Sequence, residues 1–487
     1  MRLVPAALAV ALTPAFIAVP TVAFDFPDPP HPVSPKVVST AINGVDPGEL
    51  AGSARPLAVT GGPVGLTPKM AVAVLTPKMA VARFTVAGVS WSRTSVVAAP
   101  DVTVNVRVNE ASGWTAWETV AITDDGPDPA TAEAARARVG TTPLVSDGAT
   151  GIQVRVDTTT GATPPGLLVS TIDPGTSPAD DDLTPAAPAG SASAVARQPA
   201  IITRARWGAD ERLRKALTLN ASVKAITIHH TAGTNGYTQA GAAAQVRGIY
   251  AYDTLTLGWD DIAYNFLVDK WGRIFEGRAG SITRAVRGAH AMGFNTNTMG
   301  VSAIGNYETT AAPAVMVDAM ARVAGWKLSQ YAGNPLGKVV LTSQGGVGAK
   351  FGAGVRATLD AVHGHRITSS TACPGKFLYA QMGTIRAKAG TYARTSSTTT
   401  PVLVPAARLF ASYGRLTLRT GSSGPPVRDL QRELNRRKLP AGVADGIFGP
   451  NTRAAVVAFQ KAARLRVTGI VAANDWKALS GLPYTKV

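Results

Sequence analysis

The chain has 487 residues, enough for roughly three domains at ~150 residues each, and its single cysteine, Cys373, excludes an internal disulfide. Its formal net charge of +17 favours anionic polymers as partners. No nucleic-acid-binding motif accompanies that charge, so we expect no nucleic-acid partner.

The first 23 residues have the features of a secretory signal peptide. Arg2 supplies a positive charge, residues 3–22 are almost wholly apolar, and the small residue Ala23 is suited to cleavage. A membrane anchor is the alternative, but prolines interrupt the apolar stretch, whose length is near the lower limit for a span. We therefore predict a secreted protein with no stable membrane span after removal of the signal, residues 1–23.

Residues 24–82 are predicted to form an extended leader, because their first part is rich in Pro, Val and Gly. An eight-residue sequence then occurs twice, at 66–73 and 75–82. One pair is too few for a repeat architecture, which needs about three units. We interpret it as a local duplication and assign it no function.

Residues 83–173 are predicted to form a β-sandwich-like domain. Residues 102–108 alternate strictly, with four valines on one face, which is typical of a half-buried strand. Residues 152–157 and 166–172 are predicted as further strands, and clusters of Gly, Asp and Pro separate the strands.

Residues 174–200, rich in Ala and Pro, are predicted to be a linker that leads to a central α/β domain over 201–391. In that domain the patterns predict strands at 225–228, 262–268, 273–275 and 299–304, and helices around 243–250 and 316–323. A second linker, 392–414, contains a Ser/Thr run. It precedes a small domain over 415–482, predicted to contain three helices.

Five of the six histidines lie in the central domain, and two of them end a predicted strand. Alternate residues of a strand face opposite sides of a sheet. His230 shares a side with Ile226 and Ile228, so it is expected to pack inward. His229 faces the other way and is the better candidate for a metal ligand.

A cysteine and histidines from a distant segment could complete a metal site. Cys373 follows His365 by eight positions, and His363 is close by, so spacing alone does not separate the two histidines. Zinc prefers four ligands, and three protein ligands leave a place for water, whose pKa falls to about 7 on the ion. This arrangement indicates a hydrolase.

Seven segments of the central domain form an ordered set. They are residues 202–209, 228–232, 261–268, 274–278, 288–291 with Asn295, 300–307, and 364–366 with 373–375. On these segments, residues 201–385 resemble the peptidoglycan recognition protein family, which includes zinc amidases similar to phage T7 lysozyme. The resemblance implies an α/β domain with a mixed sheet and a zinc ion held by His229, His365 and Cys373.

The same resemblance implies roles for four further residues. Tyr264 matches the active-site tyrosine, and Thr371 matches the polar residue two places before the cysteine, so both are expected to be catalytic. His290 and Asn295 match the substrate-groove segment and are expected to bind substrate. The implied reaction is hydrolysis of the amide between N-acetylmuramic acid and L-alanine of the peptidoglycan stem peptide.

One position departs from the family pattern. Members often carry Asp after Gly-His-Arg, where this chain has Ile367. Such an aspartate could orient a metal ligand, so its absence affects the tuning of the site. Members that only recognise peptidoglycan tend to lack the cysteine, so Cys373 favours catalysis over the alternative of a non-catalytic peptidoglycan-binding protein.

The C-terminal part resembles the small peptidoglycan-binding domain often attached to wall hydrolases. Residues 418–431, 445–452, 455–460 and 476–479 carry this resemblance. From residue 401 onward the chain has 14 Lys and Arg against 4 Asp and Glu. The expected partners are therefore peptidoglycan and anionic wall polymers, and the expected location is outside the bacterial cell, at its wall.

Overall fold

The computed structural model describes residues 32–52, 70–93, 101–183, 196–394, 413–414, 416–422, 425–442, 444 and 446–486. The predicted signal peptide lies outside these residues. Among the described helices, none combines the length and the apolar character that a membrane span requires.

The N-terminal domain is built around one largely antiparallel sheet. Its strands are β1 Lys36–Ala41, β2 Ala71–Leu75, β3 Met79–Trp91, β4 Val102–Glu110, β5 Gly113–Trp114, β6 Glu118–Val120, β7 Val139–Gly140, β8 Leu144–Thr158 and β9 Leu168–Asp173. Two short helices, α1 Pro47–Gly52 and α2 Ala132–Arg136, accompany them. In place of the two separate sheets of the predicted sandwich, the nine described strands are connected, with β1-β9-β3-β8-β4-β5 as the main order.

Side-chain alternation explains the core of this domain. The valines predicted for one face of β4, among them Val104 and Val106, are buried against β8 residues such as Val154 and Val156. Register shifts in β3 around Phe84 mark irregularities of its pairing with β8. Irregular pairing of this kind bends strands, which lets one sheet curve around a core.

The predicted leader is wrong over its described parts, because β1, β2 and the start of β3 lie within 24–82 and belong to the sheet. β1 pairs antiparallel with β9, and β2 with β8. β1 is mostly exposed, so it lacks the apolar alternation that would have predicted it. Backbone hydrogen bonds to β9 hold this edge strand instead.

The first predicted linker is also partly wrong. Residues Pro178–Asp180 form a 3-10 turn, and the buried carboxylate of Asp180 pairs with both terminal nitrogens of Arg247, at 2.6 and 2.8 Å. This part of the chain is therefore fixed to the central domain.

The central domain has the mixed sheet that the family resemblance implied. Its six strands, in spatial order, are β10 Ile201–Ile202, β13 Ile274–Glu276, β12 Phe266–Val268, β14 Thr298–Ala303, β11 Ala225–His230 and β17 Val362–Gly364. Only the β12–β13 pair is antiparallel. A separate hairpin is formed by β15 Lys338–Thr342 and β16 Arg356–Asp360.

Helices cover this sheet. They are α3 Gly241–Ala251, α4 Ala314–Gln330, α5 Lys376–Ala380 and α6 Met382–Arg394. The helix predicted around 316–323 corresponds to α4; Pro313 is its N-cap, and Met316, Met320 and Val323 face the core. α6 continues three residues past the boundary predicted at 391.

The N-terminal and central domains share one apolar core. Val86 and Ile172 of the N-terminal sheet and Leu183 pack in the same cluster as Ile249 and Tyr250 of α3. A Cβ added at Gly88 would lie 2.4 Å from the ring of Tyr252, so the strand backbone approaches the central domain very closely. The two domains therefore form a joined unit.

The C-terminal part contains the three predicted helices: α7 Pro425–Arg436, α8 Pro450–Ala462 and α9 Ala473–Leu479. Leu430, Val456, Phe459 and Trp476 lie in its core. The buried amide of Gln431 donates to Thr452 Oγ1 at 2.9 Å, which ties α7 to α8.

Candidate metal centre

β11, between β14 and β17 in the central sheet, delivers two histidines to opposite faces. His230 Nδ1 accepts a hydrogen bond from the main-chain N–H of Tyr307 at 3.1 Å, so this imidazole has a structural partner. His229 is completely buried on the other face, and its Nδ1 lies 3.6 Å from Cys373 Sγ. This is the placement that strand alternation predicts.

The structure separates His363 from His365, which spacing alone could not do. His363 Nε2 lies 3.2 Å from Thr227 Oγ1 and its Nδ1 lies 2.9 Å from the carbonyl of Asp360, so both ring nitrogens have partners away from the site. His365 opens a 3-10 turn directly after β17, and its ring centroid lies 4.4 Å from that of His229.

Three side chains are brought together in a geometry that suits a metal ion. One donor atom from each of His229, His365 and Cys373 lies within 4.8 Å of the other two. Zinc bonds of about 2.0–2.1 Å to nitrogen and 2.3 Å to sulfur place two tetrahedral ligands about 3.6 Å apart, which matches the distance from His229 Nδ1 to Cys373 Sγ. Both ring nitrogens of His365 are buried without a hydrogen-bond partner among the described residues. The residues therefore fit zinc.

Charge arguments favour a cation at the same place. Burial lowers the pKa of His229 and His365, which keeps both imidazoles neutral and able to ligate. Burial, together with the charges of Asp125 and Asp124, raises the pKa of Cys373 well above its usual value. A thiolate at this position therefore needs a compensating positive charge.

Two carboxylates from the N-terminal domain reach this centre. Asp124 and Asp125 follow β6, and their carboxylates lie 3.5 Å from His365 Nε2 and 3.7 Å from His365 Nδ1, respectively. Sequence reasoning missed both residues. The only local signal is an acidic pair before a Gly-Pro turn, and nothing in that pattern relates it to histidines more than a hundred residues away.

Tyr264 and Thr371 lie beside the centre. The Tyr264 hydroxyl donates to Asp125 Oδ2 at 2.6 Å, and its ring centroid is 5.3 Å from that of His229. Burial, and then the charge of Asp125, raises the pKa of Tyr264 well above 10, so the phenol stays protonated. Thr371 Oγ1 accepts from the N–H of Cys373 at 3.2 Å, which stabilises the loop that carries the thiol.

His290 and Asn295, for which substrate contact stays a prediction, are both completely buried in this structure. His290 Nδ1 lies 3.1 Å from His229 Nε2, and its Nε2 lies 3.3 Å from Thr298 Oγ1. His290 therefore orients the His229 ring through Nε2, the nitrogen opposite the one that faces Cys373. Asn295 accepts the N–H of His290 at 2.8 Å and holds the same segment in place.

A cavity of about 260 Å³ opens beside the metal centre. Its lining combines the central domain, including Tyr264, Thr371 and Cys373, with residues 121–125 and 141–143 of the N-terminal domain. The site is thus a cleft between two domains rather than a groove on one.

Comparisons with known proteins agree with this architecture. A family model described as N-acetylmuramoyl-L-alanine amidase matches residues 219–376, and one described as a peptidoglycan binding domain matches 423–479. Residues 46–190 match a model described as Rv3811 N-terminal galactose-binding domain-like. Peptidoglycan-recognition protein SC2 of Drosophila melanogaster is 32% identical over 192 residues, which cover 38% of this chain and 85% of that protein. The chain belongs to the peptidoglycan-recognition protein family.

The chain is also similar to two further peptidoglycan-recognition proteins. Human peptidoglycan recognition protein 3 is 34% identical over 108 residues, or 22% of this chain and 30% of that protein. Among solved structures, wild-type Drosophila PGRP-LB is 26% identical with a TM-score of 0.30, over 38% of this chain and 92% of that structure. In this chain the family domain is flanked by the N-terminal β domain and by a C-terminal peptidoglycan-binding domain.

Proposed function

We propose that the protein is a secreted, zinc-dependent N-acetylmuramoyl-L-alanine amidase, which hydrolyses the amide between N-acetylmuramic acid and L-alanine of the peptidoglycan stem peptide. The observation that carries the proposal is the buried cluster of His229, His365 and Cys373, whose donor atoms lie within 4.8 Å of one another. Two imidazoles and a thiolate are a donor set that zinc takes in proteins.

His229, His365 and Cys373 would hold the ion. When bound, zinc polarises a carbonyl and activates water at neutral pH, which is the chemistry that amide hydrolysis requires. His290 fixes the orientation of His229 through the 3.1 Å contact between their ring nitrogens. That contact leaves His229 Nδ1 directed toward Cys373.

Tyr264 is the best-placed donor for the oxyanion that develops in amide hydrolysis. Its hydroxyl is protonated and lines the cavity, and the proton that forms the 2.6 Å hydrogen bond to Asp125 becomes available to an oxyanion when that bond opens. A preorganised donor of this kind contributes about 3 kcal/mol to transition-state stabilisation. Thr371, on the cavity wall, supplies a second polar contact.

The C-terminal domain fits the role of a wall anchor. Its family match and its excess of Lys and Arg favour binding to peptidoglycan and to anionic wall polymers. Tethering raises the local substrate concentration, to about mM. With the export signal predicted over residues 1–23, this favours a location at the wall outside a bacterial cell.

Two measurements on the full chain test the proposal: bound zinc, and release of stem peptide from purified bacterial wall. His229→Ala and Cys373→Ser should each abolish release and lower bound zinc, while wall binding persists through the C-terminal domain. His363→Asn, a histidine substitution in the same segment as His365 but outside the cluster, is the matched control and should keep its zinc.

Two outcomes would contradict the proposal. Full activity in the Cys373→Ser variant would show that the metal assignment is wrong. Zinc binding and wall binding without release of stem peptide, under all conditions and in all variants, would favour the alternative of a non-catalytic peptidoglycan-binding protein.

A further inference from the structure

A loop of the N-terminal domain, residues 121–128, crosses the metal centre of the central domain. We propose that Asp125 Oδ1 is a fourth ligand of the metal in the resting protein, so that the N-terminal domain keeps the site closed until this loop withdraws. The inference rests on the proposed function, because it takes the three metal ligands named there.

Asp125 occupies a position from which it can reach the ion. Its Oδ1 lies 3.8 Å from His229 Nδ1 and 3.7 Å from His365 Nδ1. Nitrogen and oxygen ligands at about 2.0–2.1 Å from one tetrahedral zinc are about 3.4 Å apart, so a shift of a few tenths of an ångström would bring the carboxylate into the ligand set.

The two oxygens of Asp125 have different environments. Oδ2 accepts the hydrogen bond from Tyr264, whereas Oδ1 is buried without a hydrogen-bond partner among the described residues. An anionic oxygen that is buried beside neutral imidazoles and lacks a donor is costly. A cation between Oδ1 and the two rings removes that cost.

Asp124 completes the contact from the same loop. Its Oδ2 lies 3.5 Å from His365 Nε2, the ring nitrogen opposite the one that faces Asp125. A carboxylate beside the second nitrogen of a ligating histidine is common in metal sites, since it orients the ring. Here that carboxylate comes from another domain.

Four hydrogen bonds to the central domain hold the loop in place. Gly126 N donates to the carbonyl of Ala289 at 2.8 Å, and its own carbonyl accepts from Asn295 Nδ2 at 2.8 Å. Asp128 Oδ1 accepts from Gly293 N and from Asn295 Nδ2, both at 2.9 Å. The position of Asp125 is therefore fixed by its neighbours, and Asn295 has a role in docking the loop.

The size of the cleft shows why the loop has to move. At about 260 Å³, it is smaller than the roughly 300–1,000 Å³ of pockets that take drug-sized ligands. A muramyl peptide is at least of that size. Because residues 121–125 form one wall of the cleft, their withdrawal both enlarges it and frees the metal position that Asp125 takes.

The first test measures access to the metal in the full chain loaded with Co²⁺, whose visible spectrum reports the ligands. The probe is acetohydroxamate, a small metal-binding anion. If the open form is about a tenth of the molecules, the apparent Kd of the wild type is about ten times the intrinsic value. Because Asp125→Asn loses the carboxylate that closes the site, its apparent Kd should equal the intrinsic value, so it should bind the probe about tenfold more tightly than the wild type. Asp147→Asn, at an exposed carboxylate of the same domain, is the matched control and should bind like the wild type.

A second measurement is zinc affinity, by competition with a chelator. Loss of a carboxylate partner outside the direct ligands lowers metal affinity by about 10- to 100-fold, and Asp125→Asn should lower it at least as much. The same variant should release stem peptide from wall faster than the wild type. A loop-loosening variant, Asp128→Ala, keeps Asp125 and should also bind the probe more tightly.

The outcomes separate this inference from the proposed function. Equal probe binding by wild type and Asp125→Asn would overturn the inference and leave the amidase assignment intact. An inactive Asp125→Asn variant with unchanged probe binding would also overturn it, because Asp125 would then be a catalytic residue. Tighter probe binding without amidase activity in any variant would support the closure and contradict the proposed function.

Discussion

Replacing Glu133 with glutamine should destabilise the joined N-terminal and central domains by about 3 kcal/mol. Glu133 Oε1 lies 2.7 Å from Arg278 Nη2, and the two side chains are only 9% and 4% exposed. Burial alone would raise the pKa of Glu133, but Arg278 holds it below its usual value, so the carboxylate is ionised. The substitution therefore removes the carboxylate that is hydrogen-bonded to a buried guanidinium, which keeps only the more distant charges of Asp261 and Asp260.

The magnitude follows from what remains after the change. Removing one partner of a buried pair costs about 3–5 kcal/mol. Arg278 keeps hydrogen bonds to the carbonyls of Ile262 and Arg287, at 3.0 Å each. Glutamine can still accept the N–H of Asp260, which Glu133 accepts at 2.9 Å. These remaining contacts place the expected loss at the lower end of the range.

Urea unfolding followed by tryptophan fluorescence measures this loss. Arg322→Gln is the control, because Arg322 makes an ion pair of the same 2.7 Å length with Asp318 but is 53% exposed, so its loss should cost less than about 1 kcal/mol. A loss below about 1 kcal/mol in Glu133→Gln would refute the buried domain interface.

Tyr264→Phe should lower kcat for wall cleavage by about 100-fold with bound zinc unchanged, as expected for the loss of one oxyanion donor; a parallel loss of zinc would contradict the donor role. In chelator-treated protein, the unfolding free energy of the wild type relative to that of His363→Asn should rise by about 3 kcal/mol from pH 4 to 6.5. Burial lowers the pKa of His363 to about 4, so at this residue the unfolded chain binds more protons in that window; the comparison cancels buried carboxylates such as Asp253, whose pKa is raised to about 8 and acts in the opposite direction. An equal pH dependence of the two proteins would contradict this. Deleting residues 401–487 should weaken binding to intact wall and spare cleavage of a small soluble muramyl peptide, and equal loss of both would show that the tail is not a separable anchor.

The sequence pattern of a single strand was sufficient to predict which way its side chains face. Alternation along β11 predicted that His229 and His230 face opposite sides, and the family resemblance singled out His365 over His363. Contacts explain the second choice physically, since Thr227 and the carbonyl of Asp360 take the ring nitrogens of His363. Spacing does not reveal such partners, because they come from other strands.

Sequence reasoning failed where the N-terminal domain enters the site. The pattern around Asn295 gave no sign of its hydrogen bond to Asp128, which fixes the loop of the N-terminal domain. Asp125 was missed because it meets Tyr264 across 139 positions of the chain. The exposed edge strand β1 was interpreted as part of a leader, since its position in the sheet depends on backbone pairing rather than on side-chain pattern.

The core common to the first two domains limits how this chain can be divided. A cut between residues 183 and 196 would expose Tyr250 and Tyr252, which now pack under the N-terminal sheet. A fragment that starts near residue 196 would thus expose the apolar surface that the N-terminal sheet now covers, and it would be prone to aggregate. Chimeras built from this protein should keep residues 32–394 together as one unit, with exchange of the C-terminal domain confined to the junction after Arg394.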